Sequence, residues 1–162
     1  MILNYFKKNI VINLIFILFI FTLDRISKMY VIYLNNKSYD SLIFQSKYLN
    51  IDLIWNQGIA FGLFSFNRND LYNYLTIVIS VVIIVIFIMI IKNITFKRYS
   101  LIMILGGALG NLYDRIFFKA VPDFIDFHIG EFHWFVFNIA DIFITVGVIF
   151  MILLELIDNN KN

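Results

Sequence analysis

The chain reads as an all-α membrane protein of four transmembrane helices carrying a small β-rich platform outside the membrane. Three observations predict this. Of its 162 residues, 61% are hydrophobic and 15% are charged, whereas a soluble domain carries about 25% charged residues. Four apolar runs are each long enough to cross about 30 Å of hydrocarbon as a helix. The basic residues are distributed unevenly around those runs, which orients them.

The first run, NIVINLIFILFIFTL, lies between Lys8 and Asp24 and extends to about Val31. Lys7 and Lys8 ahead of an apolar core resemble the start of a signal peptide. No small-x-small cleavage site follows, so a retained helix is expected. The second run, Leu71 to Ile91, has no charge, glycine or proline. A third starts near Tyr99 and reads YSLIMILGGALGNLYDRIFF, and a fourth spans about Trp134 to Leu154.

Lys92, Lys97 and Arg98 lie between the second and third runs with no acid among them. With an even number of spans, this loop, the N-terminus and the C-terminus share one side. The excess of basic residues makes that side the cytoplasm. Residues 1–162 then form a single membrane domain, with outer segments at about 32–70 and 116–133. The first outer segment contains LNIDLIWNQGIAFGLFSF, which alternates in part like a strand. Gly58 and Gly62 allow tight turns or close backbone approach. Trp55, Phe61, Phe64 and Phe66 suit the boundary of water and lipid. The second outer segment, AVPDFIDFHIGEFHWFVF, is short and aromatic. It is expected to be irregular backbone covering a cavity at the level of the helix ends.

Several functions are excluded at this stage. A net charge of +2, with no basic tract interleaved with aromatics, does not fit nucleic acid. With no cysteine there is no disulfide framework, no thiolate nucleophile and no thiolate metal ligand. His128 and His133 flank Glu131 without the ligand spacing of a zinc motif, so no metal or other cofactor is expected.

The polar residues of the runs converge on one depth. Asp24, Arg25 and Lys28 end the first; Asn111, Asp114 and Arg115 end the third; Asn138 and Asp141 begin the fourth. Asp123 and Asp126 lie in the loop between the last two. Charge beside hydrocarbon is costly unless it faces a polar cavity or serves a function. Asn138 and Asp141, three apart, share a helix face. Asp141 and Asp123 can share one proton, one carboxylate accepting from water while the other donates. On physical grounds Asp126 can replace Asp123 in that pair. Arg115 is expected to pair in bidentate fashion with Asp114 or Asp24. Asp24 and Lys28, four apart, form a satisfied pair, with Lys28 reaching toward the interface. Asn56 and Gly58 offer an amide and bare backbone to a bound peptide. The small residues Gly106, Gly107, Ala108 and Gly110 let another helix approach closely. A transporter would place its polar groups nearer the midplane, and a structural protein would need no paired carboxylates.

These residues lie in five boxes that resemble the lipoprotein signal peptidase (signal peptidase II) family. They are LDRISK around Asp24, WNQGIAFG with Asn56 and Gly58, GGALGNLYDR with Asn111, Asp114 and Arg115, VPDFIDF with Asp123, and FNIAD with Asn138 and Asp141. The chain departs from the family at Phe135, where a proline is usual. The resemblance implies an aspartic endopeptidase of the bacterial inner membrane. Such an enzyme removes signal peptides from diacylglyceryl-modified prolipoproteins, on the amino side of the modified cysteine. It implies Asp123 and Asp141 as the catalytic dyad and Asn56, Gly58, Asn111, Arg115 and Asn138 as supporting or substrate-binding residues. Asp24 and Asp114 become scaffold residues. A monomer embedded in lipid, with no nucleic-acid partner, is expected.

Overall fold

A computed structural model describes residues 2–37, 42–58, 69–92 and 96–159, with side chains from residue 10 in the first segment and residue 72 in the third. Gly62, Phe61, Phe64 and Phe66 of the first outer segment lie outside the described residues, as do the side chains of Lys7 and Lys8. The elements in order are α1 (Ile2–Lys37), β1 (Leu42–Gln45), β2 (Leu49–Asn56), α2 (Asn69–Lys92), α3 (Lys97–Phe118), β3 (Val121–Ile129), β4 (Phe132–Phe137) and α4 (Ile139–Asn159). The four helices are long and apolar enough to cross a membrane. Their outward faces carry exposed Phe16, Leu18, Phe19, Ile77, Ile84, Ile149 and Ile152, the pattern of side chains solvated by lipid tails.

α3 is the central helix. Half of its spanning window is buried, against 11–17% for the other three, and α1, α2 and α4 all pack on it. Glycine permits the closeness. A Cβ on Gly107 would lie 2.5 Å from the Ala140 carbonyl oxygen, and one on Gly110 would overlap the Asp24 carboxylate. The small-residue stripe is therefore filled by the chain's own helices α1 and α4. Ile17, Ile83, Ile90, Leu101, Ile102 and Leu105 form an apolar core between the helices.

Contacts also fix the relative directions. Ile20 meets Gly106 and Asp24 meets Gly110, so α1 and α3 run parallel. Ala140 meets Gly107 and Gly147 meets Ser100, so α4 runs antiparallel to both. The start of α1, the start of α3 and the end of α4 lie at one end of the bundle. There Lys97 pairs with Glu155 and Asp158 at 2.7 and 2.8 Å. Glu155 and Asp158 thereby tie the end of α4 to the start of α3.

The opposite end carries a four-stranded antiparallel sheet in the order β1-β2-β3-β4. The elements differ from the sequence expectation at α1, at the second outer segment and at the start of α4, which lies at Ile139 rather than near Trp134 because Phe132–Phe137 form a strand. α1 does not stop near Val31. Its 36 residues rise about 54 Å at ~1.5 Å each, well beyond the hydrocarbon. At the expected end Val31 is buried with Leu53 and Phe124 of the sheet, and Ile32 just beyond it packs on the same cluster, so tertiary packing prolongs the helix. The second outer segment is not irregular either: it is the β3–β4 hairpin, with Ile129 paired to Phe132 around Gly130 at φ 59°. Phe135 lies inside β4, where a strand accepts it readily.

Candidate active site

The polar residues of α1, α3, α4 and β3 meet where the sheet joins the bundle. The start of α4 organises them. Asn138 is fully buried and caps the helix reciprocally with Asp141. The Asp141 backbone N–H donates to Asn138 Oδ1 at 3.2 Å, and the Asn138 N–H donates to Asp141 Oδ2 at 3.1 Å. This is a capping box, the physical reason for their spacing of three. It also sets a carboxylate in the first helical turn, where the macrodipole favours negative charge. Asp24 from α1 adds a second cap by accepting the Ala140 N–H at 3.1 Å.

Asn138 also joins the two candidate aspartates. Its Nδ2 donates to Asp123 Oδ1 at 2.6 Å and to Asn111 Oδ1 at 3.2 Å. Asn111 in turn donates to Asp141 Oδ1 at 2.9 Å. Asp123 projects from β3, where the sheet register pairs it with Ile54. Its second oxygen accepts from Asn56 Nδ2 at 2.9 Å. Asn56 closes its own turn by accepting the Gly58 N–H at 2.8 Å. Burial pushes Asp123 up from its ordinary 3.8 to about 7; the negative charge of Asp141 pushes the same way, while the bonds from Asn56 and Asn138 and the charge of Lys28 oppose it. Asp123 is thus suited to hold a proton near neutrality.

A charge cluster lies behind this pair. The Arg25 guanidinium grips Asp114 with both nitrogens, at 2.6 and 2.7 Å, and reaches Asp24 at 3.0 Å. It also lies over the Tyr113 ring, 4.8 Å from its centroid. Lys28 donates to Asp24, Asn111 and Asp114 at 2.9, 2.8 and 2.8 Å, which satisfies all three of its protons. Asp24 and Asp114 are fully buried and Lys28 is 1% exposed. Two carboxylates and two cations balance each other there.

Two expectations are corrected here. Among the described residues Arg115 makes no bidentate carboxylate pair; it donates to the Gly58 carbonyl at 3.1 Å and the Asn111 carbonyl at 3.3 Å. Arg25 holds the bidentate role instead, because parallel packing sets that turn of α1 beside Asp114. Lys28 does not reach for the interface, since three buried acceptors surround it. Nothing in the sequence around Arg25 beyond its adjacency to Asp24 points to its reach across to Asp114 of α3. Asp126 is not part of the network; it accepts from Asn50 at 3.3 Å and bonds His133 at 2.8 Å on another part of the sheet.

Beside Asp141 opens a groove of about 210 Å³ lined by Phe135, Phe137, Ile142, Thr145 and Val146. Apart from Asp141 and Thr145 its lining is hydrocarbon. A buried carboxylate, Asp123, and a half-buried one, Asp141, held by shared amides beside an apolar groove, have the chemistry for hydrolysis without a nucleophilic serine or cysteine.

The family profile for Signal peptidase (SPase) II matches residues 16–157. A lipoprotein signal peptidase of Pelagibacter ubique is 52% identical over 154 residues, covering 95% of this chain and 93% of the relative. One from Anaplasma phagocytophilum is 45% identical, covering 92% and 94%. A solved bacterial membrane enzyme, determined by the in meso method at 2.3 Å resolution, superposes with a TM-score of 0.75 at 31% identity, covering 94% of this chain and 92% of that one. With the family profile reaching from within α1 into α4 and including both candidate aspartates, the chain belongs to the signal peptidase II family.

Proposed function

We propose that Asp123 and Asp141 are the catalytic dyad of an aspartic endopeptidase that removes signal peptides from diacylglyceryl-modified prolipoproteins, cutting on the amino side of the modified cysteine. The observation that carries this reading is Asn138. One buried amide side chain and its own backbone N–H hold both carboxylates, beside an apolar groove, at the end of the bundle that bears the sheet.

The chemistry follows from the two environments. Asp123, with its affinity for protons raised, enters the cycle protonated. Asp141, in the first turn of α4 where the helix dipole favours negative charge and accepting N–H bonds from Asn138 and Asn111, enters ionised. A water between them loses a proton to Asp141 as its oxygen attacks the scissile carbonyl. Asp123 donates to the carbonyl oxygen, giving a neutral gem-diol. Asp141 then returns its proton to the leaving amine as the C–N bond breaks and Asp123 recovers its own. Asn56, Asn111 and Asn138 keep the carboxylates in register. Arg115 tethers the segment at Gly58 to α3, positioning a backbone edge for the unwound substrate. Asp24 and Asp114, with Arg25 and Lys28, fix the helices beneath. The groove beside Asp141 takes the apolar end of the signal peptide, and the acyl chains stay in lipid.

In this reading residues 1–162 act as one monomeric domain of the bacterial inner membrane. The ends of the chain and Lys97 face the cytoplasm, as the uneven basic residues favour, and the sheet and dyad face outward. The core between the helices is formed by Ile17, Ile83, Ile90, Leu101, Ile102 and Leu105, and the charged residues buried among the described residues gather at the sheet end, which supports hydrolysis over transport.

The test is cleavage by the purified protein in detergent of a prolipoprotein peptide with and without the diacylglyceryl group on its cysteine. The expected product is the modified cysteine as a new N-terminus, identified by mass, with the unlipidated peptide cut at least about a hundredfold more slowly because its remote binding energy is lost. Equal cleavage of both peptides would contradict the substrate assignment; no cleavage of either by the folded protein would contradict the activity.

A further inference from the structure

The chain has two histidines, and the β3–β4 hairpin brings them together. His128 and His133 are cross-strand partners, and their rings stack with centroids 4.9 Å apart and planes 18° from parallel. Asp126 lies two residues before His128 and so points from the same face of β3. One ligand atom from each of the three lies within 4.8 Å of the others. Linear spacing gave no sign of this group: Glu131, between the histidines in sequence, lies in the turn, and the register recruits Asp126 instead.

The group is built but incomplete. His133 Nδ1 bonds Asp126 Oδ2 at 2.8 Å, and Asn50 Nδ2 steadies the same oxygen from β2 at 3.3 Å. Yet Asp126 Oδ1 and His128 Nδ1 are buried with no hydrogen-bond partner, and Asp126 is only 6% exposed. Buried polar atoms are normally satisfied. An ion between the strands would satisfy both at once.

We propose that Asp126, His128 and His133 form a binding site for a divalent transition-metal ion of the zinc class. Two imidazoles and a carboxylate, each about 2 Å from the ion, form an established type of zinc ligand set. Side-chain rotation suffices to draw in donors already this close. Imidazole selects zinc, copper or nickel over magnesium and calcium, which favour oxygen. Asn50 is the outer partner that orients the ligating carboxylate. The His133 side chain is 52% exposed, so the site opens to water and leaves a coordination position for it. The ion would tie β4 to β3, three residues along from Asp123. The site stands apart from the dyad, and the proposal does not depend on the peptidase reading.

The test is calorimetric titration of zinc chloride into the purified, chelator-stripped protein in detergent, carrying no histidine tag. One equivalent of saturable binding is expected, and none for magnesium or calcium chloride. His128→Ala and His133→Ala are each expected to weaken binding at least about tenfold, since even loss of an outer partner has that effect. Helical circular dichroism reports that each variant is folded, and the half-exposed His133 is the variant least able to disturb the fold. Cobalt binding in place of zinc is expected to give a visible absorption band that His133→Ala removes. Absence of saturable zinc binding to the wild-type protein, or zinc affinity unchanged in both histidine variants, overturns the site.

Discussion

Asp141→Asn and Asp123→Asn each lower the rate of peptide cleavage by about a thousandfold or more, within the range removed with a general acid or base, while leaving the protein folded. The two substitutions act differently. In Asp141→Asn the side chain can still accept from Asn111 or the Asn138 N–H through its oxygen, but it cannot take a proton from water. In Asp123→Asn the amide cannot deliver a proton to the carbonyl oxygen, and its NH2 group faces a donor from Asn56 or Asn138. Asp141 likewise accepts an N–H at each oxygen, so the new NH2 group meets a donor in either variant and both are expected to melt slightly lower than wild type. The double variant is expected to be no slower than the worse single one, because residues acting as a unit are not additive. Single-turnover cleavage with the lipidated peptide, beside melting in detergent, separates catalysis from folding. A folded Asp141→Asn protein that retained cleavage would remove Asp141 from the mechanism.

Lys28→Met destabilises the fold by about 3–5 kcal/mol, the cost of breaking a buried ion pair from one side. Lys28 satisfies Asp24, Asp114 and Asn111 together, and both acids are fully buried. Without it Arg25 is left as the single cation for two carboxylates. The loss spreads to the active end, because Asp24 caps α4 through Ala140 and Asn111 positions Asp141. Adding Asp24→Asn restores the charge balance and is expected to recover part of the stability, since removing a balanced pair costs less than removing one partner. Thermal melting of the single and double variants in one detergent measures this. A Lys28→Met protein as stable as wild type would show that the charge cluster does not hold the helices.

The parts of the fold that were legible depended on local pattern. Four apolar runs became four membrane helices, and the alternation around Leu49–Asn56 became a strand. Convergence of polar residues on one depth was readable because each lay at the end of its run. Partner choice was not. Arg25 and Arg115 both lie near carboxylates in sequence, and only the parallel packing of α1 on α3, through Gly106 and Gly110, decides that Arg25 takes Asp114. The length of α1 beyond Val31 was hidden because its support comes from Leu53 and Phe124, remote in sequence. The β3–β4 hairpin was hidden because a run of aromatic and β-branched residues beside a membrane reads equally as interface loop or strand. The spacing of Asn138 and Asp141 was visible as a shared helix face, but its origin as a helix cap required knowing that α4 begins at Ile139 rather than near Trp134.

The central claim is that two carboxylates share one proton, and the pH–rate profile of wild-type cleavage tests it most directly. Asp123 holds its proton up to about 7, above its ordinary range, so the singly protonated pair persists to about that pH and is lost above it. The rate is therefore expected to fall as pH rises through about 7 and to fall again in acid as the pair takes up its second proton, a bell whose limbs belong to the pair together. The same profile is expected with and without a metal chelator. A rate that kept rising above pH 8, or one that vanished with chelator in an otherwise folded protein, would contradict the shared-proton account.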